Sequence, residues 1–282
     1  MKKEKIVLGM SGGVDSSVAA FLLQNRGFEV HGVFMKNWDD ENAICNAEDD
    51  YADAISVCNQ LKIPLKKINY TKEYKERVFS QFLDDHQNGF TPNPDVLCNK
   101  EIKFDVFQKY AKEIGAIKIA SGHYAKIVKS DNNFFICKAR DSSKDQSYFL
   151  YQLSSKILAN IEFPLGDILK KDIRRIAQEN NLINASKKDS TGICFIGDRK
   201  YNDFVSQFLK SNKGKIITVD GEEIGVHNGH MYFTVGQRKG LGIGARHSAF
   251  DKPWYVVNKN IESNIVYVAQ GTDHPALFSD QL

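Results

Sequence analysis

The chain has 282 residues, 42% hydrophobic and 26% charged, with 38 basic against 35 acidic side chains for a net charge of +3. These values match soluble globular proteins and exclude a stapled mini-protein, a disordered chain and a collagen-like repeat, while the length suits about two domains. No apolar run approaches the ~18 residues of a membrane span, and Ile6 to Met10 is too short for a signal-peptide core, so the sequence reads as a cytoplasmic protein with no membrane partner.

In chain order, Lys5 to Met10 reads as a strand. Ser11-Gly12-Gly13 follows as a loop, and Val14, Val18, Phe21 and Leu22 mark one face of a helix that ends at Gly27. Glu29 to Met35 is a second strand. Ala47, Tyr51, Ala54, Ile55, Cys58 and Leu61 form a helical stripe closed by Pro64, and Leu65 to Asn69 is a third strand. This β-α-β-α-β order predicts an α/β fold, a parallel sheet with helices on both faces.

Tyr74, Val78, Phe79 and Phe82 predict another helix, Asn88 to Asn99 a loop because it holds Pro92 and Pro94, and Ile102 to Ile114 a longer helix. Lys118 to Ala120 is a strand running into Ser121-Gly122-His123, at the sheet edge where ligands bind in open α/β folds. Lys126 to Val128 and Phe134 to Cys137 flank Asp131-Asn132-Asn133 as a hairpin, and helical spacing returns at Ile173, Ile176 and Ala177. Beyond about Lys213, short β-type runs at Ile216 to Val219, Met231 to Val235, Trp254 to Val257 and Ile265 to Ala269 predict a small β-rich domain.

Gly9-Met10-Ser11-Gly12-Gly13-Val14-Asp15-Ser16-Ser17 is the strongest local signal. Glycines let the backbone approach an anion, the helix N-terminus offers unpaired N–H donors and a favourable dipole, and the serines add hydroxyls. No GxxxxGK[ST] is present, so the loop brings no Walker lysine of its own. Basic clusters such as Lys170/Lys171/Arg174/Arg175 and Lys187/Lys188 offer charges to phosphates, although each taken singly is more often a solvated face.

Five cysteines, at 45, 58, 98, 137 and 194, contain no CxxC pair, which fits neither a disulfide framework nor a zinc ribbon. Cys98 falls at the end of the proline loop and the start of a helix, near Lys100 and Lys103. That setting lowers a thiol pKa, with Asp95 close enough in sequence to move a proton. A buried cysteine on an apolar face fits the same residue. Cys194 lies among apolar neighbours but between glycines, and Cys45, Cys58 and Cys137 read as structural. The seven histidines show no chelating spacing, so no metal site is expected from protein ligands, and Mg²⁺ would arrive with a nucleotide.

GMSGGVDSSVAA at 9 to 20 resembles the PP-loop of the ATP-pyrophosphatase superfamily. Together with NPDVLCNKEIKF at 93 to 104, SGHYA at 121 to 125, KDQSYFL at 144 to 150, STGICFIG at 190 to 197 and GQRKGLGIG at 236 to 244, the whole chain resembles the bacterial tRNA-specific 2-thiouridylases. The resemblance implies ATP-dependent 2-thiolation of the wobble uridine of tRNAs of the Lys, Glu and Gln type. Gly9, Met10, Ser11, Gly12, Gly13, Val14, Asp15 and Ser16 would cradle the ATP phosphates, with Met35 and Gly122 beside the adenosine. Asn93, Pro94 and Asp95 would meet the target base, and Lys144, Asp145 and Gln146 another part of the tRNA. Cys98 corresponds to the family nucleophile and Cys194 to the persulfide carrier, with Asp95 as general acid/base and a Cys98–Cys194 disulfide at the end of a turnover.

A cysteine desulfurase or sulfur-relay protein would supply the sulfur. The implied domains are a PP-loop domain at 1–200, a β-rich domain at 201–272, and at 273–282 the start of a C-terminal β-barrel cut short at Leu282. Two other readings are a PP-loop synthetase acting on a small carboxylate, indifferent to loss of Cys194, and a nucleotide-gated RNA-binding module that does not cleave ATP.

Overall fold

The protein is represented by a computed structural model that describes residues 3–39, 47–189, 193, 195–197, 199–243 and 252–280. Cys45 and Cys194 lie outside these residues. Two compact units are formed, one from residues 1–79 and 94–197, the other from residues 80–93 and 198–282.

The first unit begins with β1 (Lys5–Gly9), α1 (Val14–Asn25), β2 (Glu29–Lys36), α2 (Ala47–Leu61) and β3 (Leu65–Asn69). Ile6, Val7 and Leu8 are completely buried, as expected of a central strand covered on both faces. Next come α3 (Thr71–Tyr74) and a π-helical turn at Lys75–Phe79, and the chain then forms α4 (Ser80–Gln87) in the second unit. Back in the first unit are α5 (Pro94–Leu97), a π-helical turn at Cys98–Lys103, α6 (Phe104–Ile114) and β4 (Lys118–Ala120). The hairpin β5 (Ala125–Ser130) and β6 (Asn133–Lys138), α7 (Ser155–Leu158), β7 (Ile161–Glu162) and α8 (Lys170–Glu179) complete it.

The sheet order is β3-β2-β1-β4-β7, and every pairing is parallel. From β1 the chain winds outward to β2 and β3, then returns to place β4 on the other side of β1. That reversal opens a crevice at the carboxyl ends of β1 and β4, the place where open α/β sheets bind ligands. The unit's apolar core includes Ile6, Leu8, Met10, Val18, Leu23, Ala120 and Tyr124, all at most 2% exposed. Cys58, on the buried stripe of α2, is 1% exposed, and burial raises its thiol pKa to about 11, which suits a packing role.

Two elements differ from the sequence reading. The stretch 88–99 is not loop throughout, because Pro94 opens α5. A first-turn proline loses no helical hydrogen bond and already has the right φ. Cys98 therefore stands a full turn inside a helical run rather than at its start.

In the second unit, α9 (Tyr201–Val205) precedes a four-stranded sheet of β8 (Gly214–Thr218), β9 (Glu223–His227), β10 (Trp254–Asn260) and β11 (Ile265–Gln270), ordered β10-β11-β8-β9. Ile216, Val256, Val266 and Val268 are its fully buried core. Met231 to Val235 is not a strand. Gly229, at φ +147°, turns the chain into a 3₁₀ turn at His230–Tyr232, and the sheet's missing edge is β9, whose alternation Gly225 had interrupted.

His86 on α4 is 1% exposed, packs on Phe82 and hydrogen-bonds the Tyr201 hydroxyl. Burial first, then the nearby Lys259, lowers its pKa to about 4. Since the unfolded chain takes up the proton near the ordinary value of 6.5, His86 contributes stability that is full above that pH and is lost as pH falls toward 4. Thermal unfolding should therefore move to lower temperature between pH 6.5 and 4, and His86→Gln should flatten that part of the profile.

Candidate active site

The loop Ser11–Gly13 leaves the carboxyl end of β1 and enters α1. Gly13 is the N-cap with extended backbone, and no side chain caps the first-turn N–H groups. Those donors stay available to an anion, reinforced by the helix dipole. The serines hold the loop's shape: Ser16 Oγ donates to the Gly13 carbonyl at 2.9 Å and accepts from Ser11 N at 3.3 Å, and Ser17 Oγ donates to the same carbonyl at 3.0 Å. From far along the chain, Asn184 Nδ2 donates to the Gly12 carbonyl and to Ser17 Oγ, both at 2.9 Å.

Two glycines make the cradle. Gly12 has φ +76°, and a Cβ there would lie 2.2 Å from the Asp50 carbonyl of α2. Gly122, in the loop after β4, packs its backbone on the first turn of α1, where a Cβ would come within 3.1 Å of Ser16 N. This approach joins the loops after β1 and β4 into one crevice. Met35 is half-buried near the end of β2, so its side chain stands along the same carboxyl edge. Bare backbone donors, hydroxyls and close-approach glycines fit a nucleotide polyphosphate. Among the described residues no three His, Cys, Asp or Glu side chains gather as for a metal ion.

Asp15, in the first turn of α1, accepts from Tyr124 Oη at 2.8 Å and from Lys170 Nζ at 2.7 and 2.8 Å. Burial first, and then the Asp15 carboxylate, raises the Tyr124 pKa, keeping its proton on this bond. Lys170 Nζ also lies 2.8 Å from Asp189, which takes Lys144 at 3.2 Å and pairs with Arg174. Burial alone would raise Asp189, but Lys170, Lys144 and Arg174 together hold it below the usual carboxylate range. His123 accepts or donates to Ser121 Oγ at 2.6 Å, and burial followed by Lys103 keeps its pKa well below 6.5, so the ring is neutral.

Cys98 is 6% exposed and touches Asn37, whose Nδ2 lies 4.0 Å from Sγ. Asn37 follows β2, and the next residue, Trp38, packs against Phe195 in a tilted ring contact at 5.4 Å between centroids. Phe195 also meets Phe79 at 5.3 Å and Tyr74 at 6.0 Å and is 1% exposed. The residue after Cys194 is thus anchored against the neighbour of the residue that touches Cys98. Asp95 is half-buried on α5, and burial raises its pKa, partly offset by Lys103.

Of the other residues singled out, Pro94 opens α5 and Asn93 belongs to the second unit. Asp145 accepts from Ala139 N at 2.8 Å and Ser147 Oγ at 2.7 Å, and Gln146 Oε1 from Tyr124 N at 3.1 Å, so both side chains brace the segment that carries Lys144. Sequence reasoning gave no role to Asn37, Tyr124, Asn184 or Asp189, although Tyr124 lies within SGHYA and Asp189 adjoins STGICFIG. Lys170 was visible only as one of a basic cluster.

A parallel α/β unit with a lysine-free glycine loop at its topological switch point, and a cysteine at the same sheet edge, defines a nucleotide-dependent enzyme of the PP-loop class. Two family models match, described as "tRNA methyl transferase HUP domain" over residues 4–198 and "tRNA methyl transferase PRC-barrel domain" over residues 202–270. Relatives aligned along the whole chain are named tRNA-specific 2-thiouridylases. The Geobacillus kaustophilus protein is 53% identical over 100% of this chain and 76% of its own length, and the Staphylococcus saprophyticus protein 52% identical over 100% and 76%. A Staphylococcus aureus relative is also 52% identical, over 100% of this chain and 75% of its own length. The chain belongs to the tRNA-specific 2-thiouridylase family. The methyl transferase wording of the domain descriptions is outweighed by relatives half identical along the whole of this chain. Among solved structures, U34-tRNA thiolase NcsA from Methanococcus maripaludis aligns over 73% of this chain and 65% of its own at 16% identity, with a TM-score of 0.46.

Proposed function

We propose that this chain is a tRNA-uridine 2-sulfurtransferase that uses ATP to replace the C2 oxygen of the wobble uridine with sulfur. The observation that carries the reading is the shared edge: the glycine loop, Cys98 and the anchored neighbour of Cys194 all belong to the carboxyl side of one parallel sheet.

Uracil O2 is a poor leaving group, and ATP supplies the activation that lets it depart with AMP after pyrophosphate is expelled. In this reading Gly9 to Ser16 hold the phosphates, Met35 and Gly122 flank the adenosine, and Mg²⁺ enters with the nucleotide. Asn93, Pro94 and Asp95 meet the base, Asp95 moves the proton, and Lys144, Asp145 and Gln146 form a second tRNA contact. Burial raises the pKa of Asp95 above the ordinary aspartate value, partly offset by Lys103, which makes its carboxylate a better proton acceptor.

The terminal sulfur of a Cys194 persulfide attacks C2, and the C2–O bond breaks. Cys98 thiolate then attacks the inner Cys194 sulfur, freeing the thiolated base and leaving a Cys98–Cys194 disulfide. In the alternative order, Cys98 first releases hydrosulfide from the persulfide, and that sulfur attacks C2. Either way a reductant restores the thiols, and a cysteine desulfurase or relay protein reloads Cys194. The expected setting is the reducing cytoplasm; among the described residues no helix is long and apolar enough to cross a membrane. The proposed domains are 1–200 and 201–272.

A single-turnover assay with unmodified tRNA, ATP, Mg²⁺ and a persulfide donor tests the reading: 2-thiouridine should form at the wobble position of a uridine-34 tRNA and not of a cytidine-34 variant. Binding should also weaken steeply with salt, because phosphate contacts release counterions. A product-free reaction with intact tRNA binding, or an affinity indifferent to salt, would reject it.

A further inference from the structure

The glycine loop has no lysine, yet the chemistry proposed for it expels pyrophosphate, so negative charge grows where the loop offers only neutral donors. Asp15, an acid, stands in the first turn of α1 at that same place. Two anions facing each other across a partly buried crevice repel unless a cation lies between them.

We propose that Lys170, from the first turn of α8, is the phosphate-site cation that the loop lacks. Its Nζ reaches both Asp15 oxygens at 2.7 and 2.8 Å, across 155 residues of chain, and its side chain is only 12% exposed. Three features hold it there before any ligand arrives. Its backbone N–H donates to Asp141 Oδ2 at 2.9 Å, its Nζ meets Asp189 at 2.8 Å, and the same Nζ lies 5.7 Å from the centre of the Tyr124 ring. Asp189 is in turn charge-balanced by Lys144 and Arg174, so Lys170 need not be reserved for it.

The donor count suits an exchange. An ammonium has three N–H groups, here shared between two carboxylates, and a phosphate oxygen replaces one partner without exposing either acid to an unpaired burial. The consequence is selective: Lys170 should matter for ligands with phosphates beyond the α position and not for adenosine. A lysine that merely neutralised Asp15 and Asp189 would affect all nucleotides alike, through the shape of the loop.

This assignment rests on the nucleotide role given above to Gly9–Ser16, and it is tested by binding rather than turnover. Calorimetry on the whole chain would compare adenosine, AMP, ATP and inorganic pyrophosphate for the wild type, Lys170→Met, Lys170→Gln and Lys170→Arg. Loss of a charge-assisted hydrogen bond predicts that Met and Gln weaken ATP and pyrophosphate roughly 10- to 100-fold, with adenosine unchanged and Arg largely restoring both. Equal weakening of adenosine, or unchanged pyrophosphate binding, overturns the proposal. Lys170→Gln is one atom shorter but keeps a neutral donor directed toward Asp15, so with Lys170→Arg as the charged counterpart it reads the charge even where Lys170→Met fails to fold. Absence of 2-thiouridine from the wild type would sink the sulfurtransferase reading alone, while wild type that prefers adenosine to ATP would sink this one.

Discussion

Cys98→Ser and Cys194→Ser should each abolish 2-thiouridine formation in a single turnover, lowering the rate on the order of 10³-fold or more, because serine oxygen neither carries a persulfide nor resolves one. The two variants should differ in what accumulates. In the direct-attack order, Cys98→Ser stops after the C2–S bond forms and leaves tRNA joined to the enzyme through Cys194, a species visible by non-reducing electrophoresis and removed by thiol. Cys194→Ser should give no such adduct. ATP cleavage to AMP in the presence of tRNA should persist in both, since neither cysteine is needed to activate O2. A Cys194→Ser protein that still thiolates tRNA would refute the two-cysteine scheme and leave Cys98 as the sole sulfur carrier. The 6% exposure of Cys98 adds a check: alkylation of the free protein at this site should be slow and should quicken on unfolding.

Gly12→Ala should remove ATP binding while sparing the rest of the fold. At φ +76° a side chain costs about 1–2 kcal/mol in the left-handed region. The larger effect is steric, because the new Cβ would lie 2.2 Å from the Asp50 carbonyl, a backbone atom with no rotamer to yield. Either the loop lifts off α2 or α2 moves. Both disturb the Gly12 carbonyl that Asn184 grips at 2.9 Å, and with it the donors of the α1 N-terminus. Calorimetric titration with ATP should show affinity down at least roughly tenfold, since each 1.4 kcal/mol of misplacement is tenfold. Gly13→Ala is the contrast: its φ is −83° and the nearest atom to a new Cβ is Ser11 Oγ at 3.5 Å, so the loop keeps its seat on α2 and the loss of affinity should be smaller. Equal effects of the two substitutions would show that the cradle does not depend on the α2 contact.

Much of the nucleotide site was legible because its signal is local. A strand of buried aliphatics, two glycines, serines and a helix follow one another without a break from Lys5 to Asn25, and each is selected by backbone geometry that sequence can express. Cys98 was legible as a candidate but its setting was not. Pro94 suggested a loop, whereas as a first-turn residue it starts the helix and places the thiol one turn inside, buried beside Asn37. The β-rich region was legible in type and not in detail, since the edge strand β9 is broken by Gly225 and the apolar run at Met231 is turned away by Gly229.

Sequence by itself determined the fold class, the position of the glycine loop and the family, because periodicity, turn chemistry and motif spacing are all properties of neighbouring residues. Tertiary structure alone decided that Lys170, Tyr124 and Asn184, more than a hundred residues from the loop, supply its charge balance and its brace. It also decided that Asn37 and Trp38 link the segment holding Cys98 to the one holding Phe195. The physical reason is that ion pairs and ring contacts depend on distance in space. Only the return of the chain from β3 across β1 to β4 brings those residues within a few ångströms of one another.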